Sequence, residues 1–251
     1  MTHIIVFTDL DGTLLDHETY AHDLAKPALA ALAARDIPVM PVTSKTCDEL
    51  RPLMDEIGLR GGFIAENGAV IVDAAGHVNK AADIADIRAA IDRLPKALRD
   101  NMYCFGDMEI VEIAALTGLD MISAQAAAAR AASEPFIWQG DRPPPPDMLA
   151  AQGYGVTRGG RFFHIVPKRD KAAAMRAVKA DMAKPCESWA LGDGPNDIAM
   201  LLAADRGALV ANPHLAAPPL LPPGNHIYKT KRAGPQGWCD AIAFFLGEEI
   251  G

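Results

Sequence analysis

The sequence predicts an α/β fold: a Rossmann-like parallel sheet core with an α+β domain inserted into it. Three observations carry this expectation. Strand-like apolar runs alternate with helix-like stretches over residues 1–80. The alternation resumes after residue 165, and the texture between changes to helices followed by strands. Residues 1–80 and 165–251 therefore read as one core, and 81–164 as an insertion rather than a second domain in series. A chain of 251 residues, half of them hydrophobic and 22% charged, is long enough to bury a core without disulfide or metal staples.

Each element has a local cause. Ile4 to Thr8 is a short apolar run that suits a buried parallel strand. Ala25 to Arg35 is rich in Ala and Leu, with Pro27 near its start where a helix tolerates it. Ile37 to Val42 reads as a second strand. Thr46 and Glu49 have capping-box spacing for a helix that ends at Gly58. Phe63 to Glu66 and Ala69 to Asp73 flank Asn67-Gly68, the signal of a tight antiparallel hairpin. In the insertion, Ile84, Ile87, Ile91 and Leu94 make an amphipathic helical stripe. Met108 to Leu116 and Met121 to Ala132 read as further helices, and Phe136 to Trp138, Tyr154 to Thr157 and Phe162 to Val166 as strands. The prolines from Pro143 to Pro146 predict an extended, exposed connection. Beyond it, helices are expected at Lys171 to Met182, Pro195 to Ala203 and Gly237 to Leu246. Strands are expected at Ser188 to Leu191, Ala208 to Ala211 and His226 to Lys229.

Composition narrows the function. Twenty-four basic residues against 32 acidic ones give a net charge of −8, and no basic stripe is visible, which argues against a nucleic acid partner. No apolar run approaches a membrane span, and Met1 to Phe7 lacks the basic and long apolar parts of a signal peptide. Cys47, Cys104, Cys186 and Cys239 are too scattered for a zinc site, the pattern of reduced thiols in a cytoplasmic protein.

Four pieces of sequence carry chemistry. Asp9 and Asp11, followed by Gly12 and Thr13, leave the first strand at its carboxyl end, where open α/β sheets place their ligands. A calcium loop starting at Asp9 is excluded, since its sixth and twelfth positions would be Leu14 and Tyr20. Thr43, Ser44 and Lys45 end the second strand, with hydroxyls and free amides suited to an anion. Asp193, Asn196 and Asp197 stand at another strand-to-helix switch, and Lys171 opens a helix after the insertion. Each has an ordinary explanation alone: a turn, a cap, a helix-dipole partner, a surface charge. Converging carboxylates, however, repel one another unless a cation joins them, and hard oxygen ligands suit Mg2+.

In this order the four pieces resemble the haloacid dehalogenase superfamily of aspartate-nucleophile phosphatases over nearly the whole chain. The insertion resembles the αββ-type cap of its Cof-like branch, and Asn67-Gly68 that branch's motif. Within the branch, the chain is most similar to the mannosyl-3-phosphoglycerate phosphatase family. That similarity rests on Phe7 to Leu15, Pro41 to Thr46, Glu66 to Gly68, Thr117 to Leu119, Arg130, Ser133 to Pro135, Gly159 to Phe162, His164, Asp170-Lys171, Gly192 to Asp197 and Gly234 to Trp238. The resemblance implies that Asp9 attacks phosphorus, Asp11 is the general acid and base, Thr43 and Ser44 hold the phosphoryl group, and Lys171 offsets its charge. It implies metal ligation by Asp9, Asp11 and Asp193, with Asn196 and Asp197 behind them. Substrate contacts would come from Ser44, Lys45, Asn67, Arg130, Ser133, Arg161 and His164. The implied substrate is a small phosphorylated sugar acid, a mannosyl- or glucosyl-3-phosphoglycerate. A broad Cof-like sugar phosphatase and a non-catalytic sugar-phosphate sensor are the alternatives. A signalling receiver, which also clusters acids, a Thr and a Lys, is about half this length and has no such insertion.

Overall fold

Strand β1 (His3–Thr8) alternates its side chains between two apolar clusters: Val6 enters one, Ile5 and Phe7 the other. A strand covered on both faces must be apolar on both, which is why no period-2 polar pattern appears in it. The computed structural model describes residues 3–158 and 161–250; Gly159 and Gly160, part of the Gly159–Phe162 motif, lie outside the described residues.

After β1 come α1 (Lys26–Ala33), β2 (Val39–Pro41), α2 (Cys47–Ile57), β3 (Phe63–Ala65), β4 (Val70–Val72) and β5 (Val78–Lys80). The capping box of α2 is present: Thr46 Oγ1 accepts from the Glu49 amide, Glu49 accepts from the Thr46 amide, and Gly58 closes the helix in the left-handed region. The middle of the chain holds α3 (Ile84–Asp92), α4 (Lys96–Arg99), β6 (Met102–Cys104), α5 (Ile110–Thr117), α6 (Met121–Ala128), β7 (Glu134–Trp138), β8 (Tyr154–Arg158) and β9 (Phe163–Pro167). The last part is α7 (Lys171–Asp181), β10 (Cys186–Gly192), α8 (Ile198–Ala203), β11 (Arg206–Ala211), β12 (Tyr228–Ala233) and α9 (Gly234–Leu246).

Five parallel strands form the main sheet in the order β12-β11-β10-β1-β2. The fold is thus the expected α/β class, with the successor of β1 on one side of it and β10 on the other. A reversal of this kind opens a crevice at the strands' carboxyl ends. A second, antiparallel sheet of order β6-β7-β9-β8 lies within the middle segment, backed by its own apolar cluster around Ile87, Ile91, Phe136 and Ile165. Its last strand reaches Pro167, three residues past the edge expected at 164. Among the described residues, no single helix is long and apolar enough to cross a membrane.

Several elements differ from expectation. β3 touches the main sheet at one bridge, Val42 to Ile64, and belongs instead to a separate antiparallel sheet of order β3-β4-β5, in which it makes the expected hairpin with β4. The loop at Asn67-Gly68 is four residues long, not two, because Ala65 pairs with Val70. β5, β6 and α4 carry no periodic signal and were not expected. α6 stops at Ala128 rather than Ala132, since residues 130–133 turn toward the core to meet a buried carboxylate described below. β12 begins two residues later than His226, and Pro195–Asp197 is a separate 3-10 turn before α8. In the proline run, Pro144 is buried while Pro143 and Pro146 are exposed.

Candidate active site

The loops after β1 and β10 meet at the sheet's switch point, and their carboxylates meet there with them. Asp9 directly follows β1, and Asp193 directly follows β10. The fully buried Lys171, first residue of α7, donates from Nζ to Asp9 Oδ1 at 2.6 Å and to Asp197 Oδ1 at 2.7 Å. Asp197 also accepts at Oδ2 from the amides of Asp193 and Gly194, so its side chain ties the β10 loop to the lysine. Asp193 accepts from Thr13 Oγ1 at 2.9 Å and from the Asn212 side-chain amide at 2.5 Å. Gly12 is required between these loops. Its φ is +79°, and a Cβ there would lie 2.7 Å from Asp193 Oδ2.

Electrostatics follow from this packing. Burial pushes the Asp9 carboxyl well above its ordinary range, against the pull of Lys171, and Asp197 and Asp193 push it further. Burial, then Asp197, raises Asp193 to about 6. For Lys171, burial disfavours the charge, but Asp197 and Asp9 outweigh it and hold the ammonium above its usual range. Three carboxylates share one lysine here. Oxygens of Asp9, Asp193 and Asp197 all lie within 4.8 Å of one another. A hard divalent cation fits such a set, since it satisfies charge that one ammonium leaves over. Asp197, engaged by Lys171 and two amides, is better placed to hold the others than to ligate.

The remaining residues of the phosphate side sit close by. Lys45 pairs with Asp11 Oδ2 at 2.9 Å and lies over the Tyr20 ring, while Asp11 Oδ1 is buried and accepts from none of the described residues. Burial works against the Lys45 charge, yet Asp11 and Glu49 raise its pKa overall. Lys45, expected on substrate, pairs with Asp11 in this structure. Thr43 is buried, and its hydroxyl accepts from the Lys45 amide. Asn67, held in the left-handed region at φ 58°, accepts from Asn196 Nδ2 at 3.3 Å.

The four residues expected to grip substrate from the insertion behave differently. Arg130 is buried and donates from Nη2 to the Ser44 carbonyl and to Ser133 Oγ. Ser133 donates in turn to Glu66 at 2.7 Å, so it faces the core rather than an open site. Arg161 is exposed and donates to the carbonyls of Leu116 and Thr117, at the end of α5. Among the described residues His164 Nδ1 is buried without a partner, and burial together with Arg130 lowers its pKa to about 3. Both causes favour the neutral imidazole, which can still serve as a hydrogen-bond donor or acceptor.

Sequence reasoning assigned no role to Glu66 or to the pair Thr8–Trp238, which it quoted only within motifs, and it did not single out Asn212. Trp238 Nε1 donates to Thr8 Oγ1 at 3.0 Å, and Thr8 donates to the Asp9 carbonyl at 2.7 Å, linking the last helix to the Asp9 backbone. Asn212 could have been found, since it ends β11 as Asp193 ends β10. Glu66 had a weaker signal: an acid closing an apolar strand just before Asn67-Gly68.

Comparison with known proteins agrees with this geometry. Residues 6–114 match the family model of haloacid dehalogenase-like hydrolases. The chain is 34% identical to a glucosyl-3-phosphoglycerate/mannosyl-3-phosphoglycerate phosphatase of Methanococcoides burtonii, covering 99% of this chain and 98% of that one. It is 32% identical to a phosphatase of the same description from Persephonella marina, covering 98% of each. Among solved structures, a phosphatase of the haloalkanoate superfamily from Bacteroides thetaiotaomicron superposes with a TM-score of 0.68 at 20% identity, over 98% of this chain and 96% of that one. The sucrose-phosphatase of Synechocystis, solved with sucrose and phosphate, gives 0.68 at 16% identity over 98% of each chain.

Proposed function

Since the chain belongs to the haloacid dehalogenase-like hydrolases and is a phosphoric monoester hydrolase, we propose that it removes the phosphate of a mannosyl- or glucosyl-3-phosphoglycerate. The observation that carries the reading is the buried Asp9–Lys171–Asp197 arrangement beside Asp193 at the sheet's switch point. The curated relatives supply the substrate class. In this reading the segment 81–164 is a cap that selects substrate over a core formed by 1–80 and 165–251, and the enzyme works in the cytoplasm.

Phosphoryl transfer asks a protein for positioning and charge neutralisation above all. Asp9 has Oδ1 fixed by Lys171, which leaves Oδ2 to attack phosphorus and carry the phosphoryl group as an aspartyl-phosphate. Asp11 gives its proton to the departing glycerate oxygen and later takes one from water. Lys45, 2.9 Å from its other oxygen, orients that carboxyl. Thr43 and the Ser44 amide receive the phosphoryl oxygens. Asp9, the Asp11 carbonyl and Asp193 would hold Mg2+, which would supply charge neutralisation for the phosphoryl oxygens. Asn196 and Asp197 keep Asn67 and Lys171 in place. Arg130, with His164 beside it, is left to meet the glycerate carboxylate.

A panel of phosphate monoesters tests the proposal, with phosphate release measured with and without Mg2+. Glycosyl-3-phosphoglycerates are expected to give the highest kcat/KM. If hexose monophosphates are turned over as efficiently, the broad sugar-phosphatase reading replaces it.

A further inference from the structure

Glu66 is fully buried and lies outside the reacting groups, and its surroundings are unusual in two ways. It is left-handed at φ 52°, followed by Asn67 at 58° and Gly68 at +101°. Consecutive left-handed residues with side chains persist only where the surroundings impose them. What imposes them is visible. The Glu66 amide donates to the Lys45 carbonyl at 2.9 Å and the Asn67 amide to the Thr43 carbonyl at 2.8 Å, so the backbone here is strapped to the phosphate loop. A Cβ on Gly68 would lie 2.4 Å from the Asp170 carbonyl oxygen, so the loop is also pressed against the start of α7.

The Glu66 side chain points the other way in function. It accepts from the amides of Ala131 at 2.7 Å and Ala132 at 3.0 Å and from Ser133 Oγ at 2.7 Å, all in the loop between α6 and β7. Arg130 Nε stands 3.6 Å from Glu66 Oε2, and Arg130 Nη2 returns to the Ser44 carbonyl at 3.1 Å. The Thr46 hydroxyl donates to the Ala126 carbonyl nearby, and Ala132 is buried within the core's own apolar cluster. One residue therefore joins the phosphate loop, by its backbone, to residues 130–133 of the inserted segment, by its carboxylate.

We infer that Glu66 is a positioning residue that pins the inserted segment to the phosphate loop and so fixes which substrates the site accepts. A small phosphate ester needs only the groups at the strand ends. A substrate that reaches Arg130 needs residues 130–133 held at one distance from Ser44, and Glu66 sets that distance. For its choice of substrate the inference rests on the function proposed above.

The test compares wild type with Glu66→Gln, which keeps size but loses one accepting oxygen and the charge, and with Glu66→Asp, which keeps the charge and shortens the reach. Hydrogen exchange at the Ala131 and Ala132 amides is expected to quicken roughly tenfold or more in Glu66→Gln while β1 amides stay unchanged. In parallel, kcat/KM for a glycosyl-3-phosphoglycerate should fall roughly tenfold or more, with an aryl phosphate held within about threefold. Glu66→Asp should show the same pattern at smaller size. Unchanged exchange at 131 and 132, faster exchange throughout β1, or equal losses on both substrates would each overturn the inference. If wild type does not turn over glycosyl-3-phosphoglycerates, the proposed substrate fails, and the exchange result alone still judges the pin.

Discussion

The strand-end core and the face of the inserted segment form one enzyme but hold their polar residues by different rules. At the strand ends, Asp9 and Asp193 stand on short loops directly after apolar strands whose parallel pairing brings them together, and Lys171 reaches them from the start of α7. Asp9 and Asp193 are 184 positions apart in sequence, yet β1 and β10 pair from His3↔Cys186 to Thr8↔Leu191 and deliver both to one place. In the inserted segment, side chains of the same types have been claimed by local needs. Arg161 holds helix carbonyls, Ser133 holds Glu66, and His164 is buried where desolvation and Arg130 disfavour its charge. Motif spacing thus reports chemistry where topology fixes the meeting point, and it fails where packing decides which way a side chain turns.

The largest effect that could break this contrast is at the strand ends. Asp9→Asn should abolish turnover of every substrate while the chain stays folded, since the amide retains the shape and can still accept from Lys171. Phosphate release measured beside a thermal melt checks both halves. Retained turnover with any ester removes Asp9 from the nucleophile's role.

Next in size is Asp11→Asn. On the phosphorylation step, alkyl phosphates should lose roughly 10²–10⁴-fold, the usual contribution of a general acid. Aryl phosphates, whose leaving oxygen needs no proton, should lose far less. Pre-steady-state kinetics isolates that step from hydrolysis of the intermediate, in which Asp11 also serves. Equal losses for the two ester types would assign Asp11 another task, with Lys45 pairing as its main purpose.

How much of this was legible follows from the same contrast. The sheet, its crossover helices and the capping box at Thr46 were readable because each is a local pattern: an apolar run, a helical period, a Thr and Glu three apart. The antiparallel pairing of β3 with β4 was readable from Asn67-Gly68, but nothing in Phe63–Ala65 says that the strand touches the main sheet only at Val42. Nor was the end of α6 legible. Ala-rich sequence continues to Ala132, and only Glu66, more than 60 residues earlier, explains why the helix stops at Ala128. Asp9, Asp11, Lys171 and Asp193 were visible as a set, whereas Asn212 and Trp238 acquire meaning only through partners supplied by the fold.

Inside the inserted segment the two arginines sharpen the comparison. Arg130 is buried against Ser44 and Ser133, and truncating a desolvated guanidinium that meets a carboxylate costs a few kcal/mol. Arg130→Ala should therefore lower kcat/KM for a glycosyl-3-phosphoglycerate roughly 30-fold or more, with little change for an aryl phosphate. Arg161 is exposed and occupied by two carbonyls, so Arg161→Ala should stay within about threefold. The sequence alone ranked the two equally. An Arg161→Ala loss matching that of Arg130→Ala would restore that ranking and show that its bonds to α5 are given up when substrate binds.

The smallest effect concerns pH and the acidic cluster. In the metal-free chain, burial and neighbouring carboxylates raise Asp193 from 3.8 to about 6 and Asp9 in the same direction. The folded chain then binds more protons than the unfolded one between those values. This contribution to stability is present below the unfolded value and is lost as pH rises through about 6. A divalent cation binds the ionised carboxylates, so protons compete with it, and its stabilising effect must run the opposite way. At Mg2+ near ten times its dissociation constant, linkage gives about 1.4 kcal/mol. In a chain of this size that is a rise in Tm of roughly 3–6 °C. The rise should be full near pH 7.5 and much reduced near pH 5, and Asp193→Asn should remove most of it. Thermal melts with Mg2+ and with chelator at both pH values decide the matter. A shift equal at the two pH values, or one that survives Asp193→Asn intact, would place the cation away from Asp193.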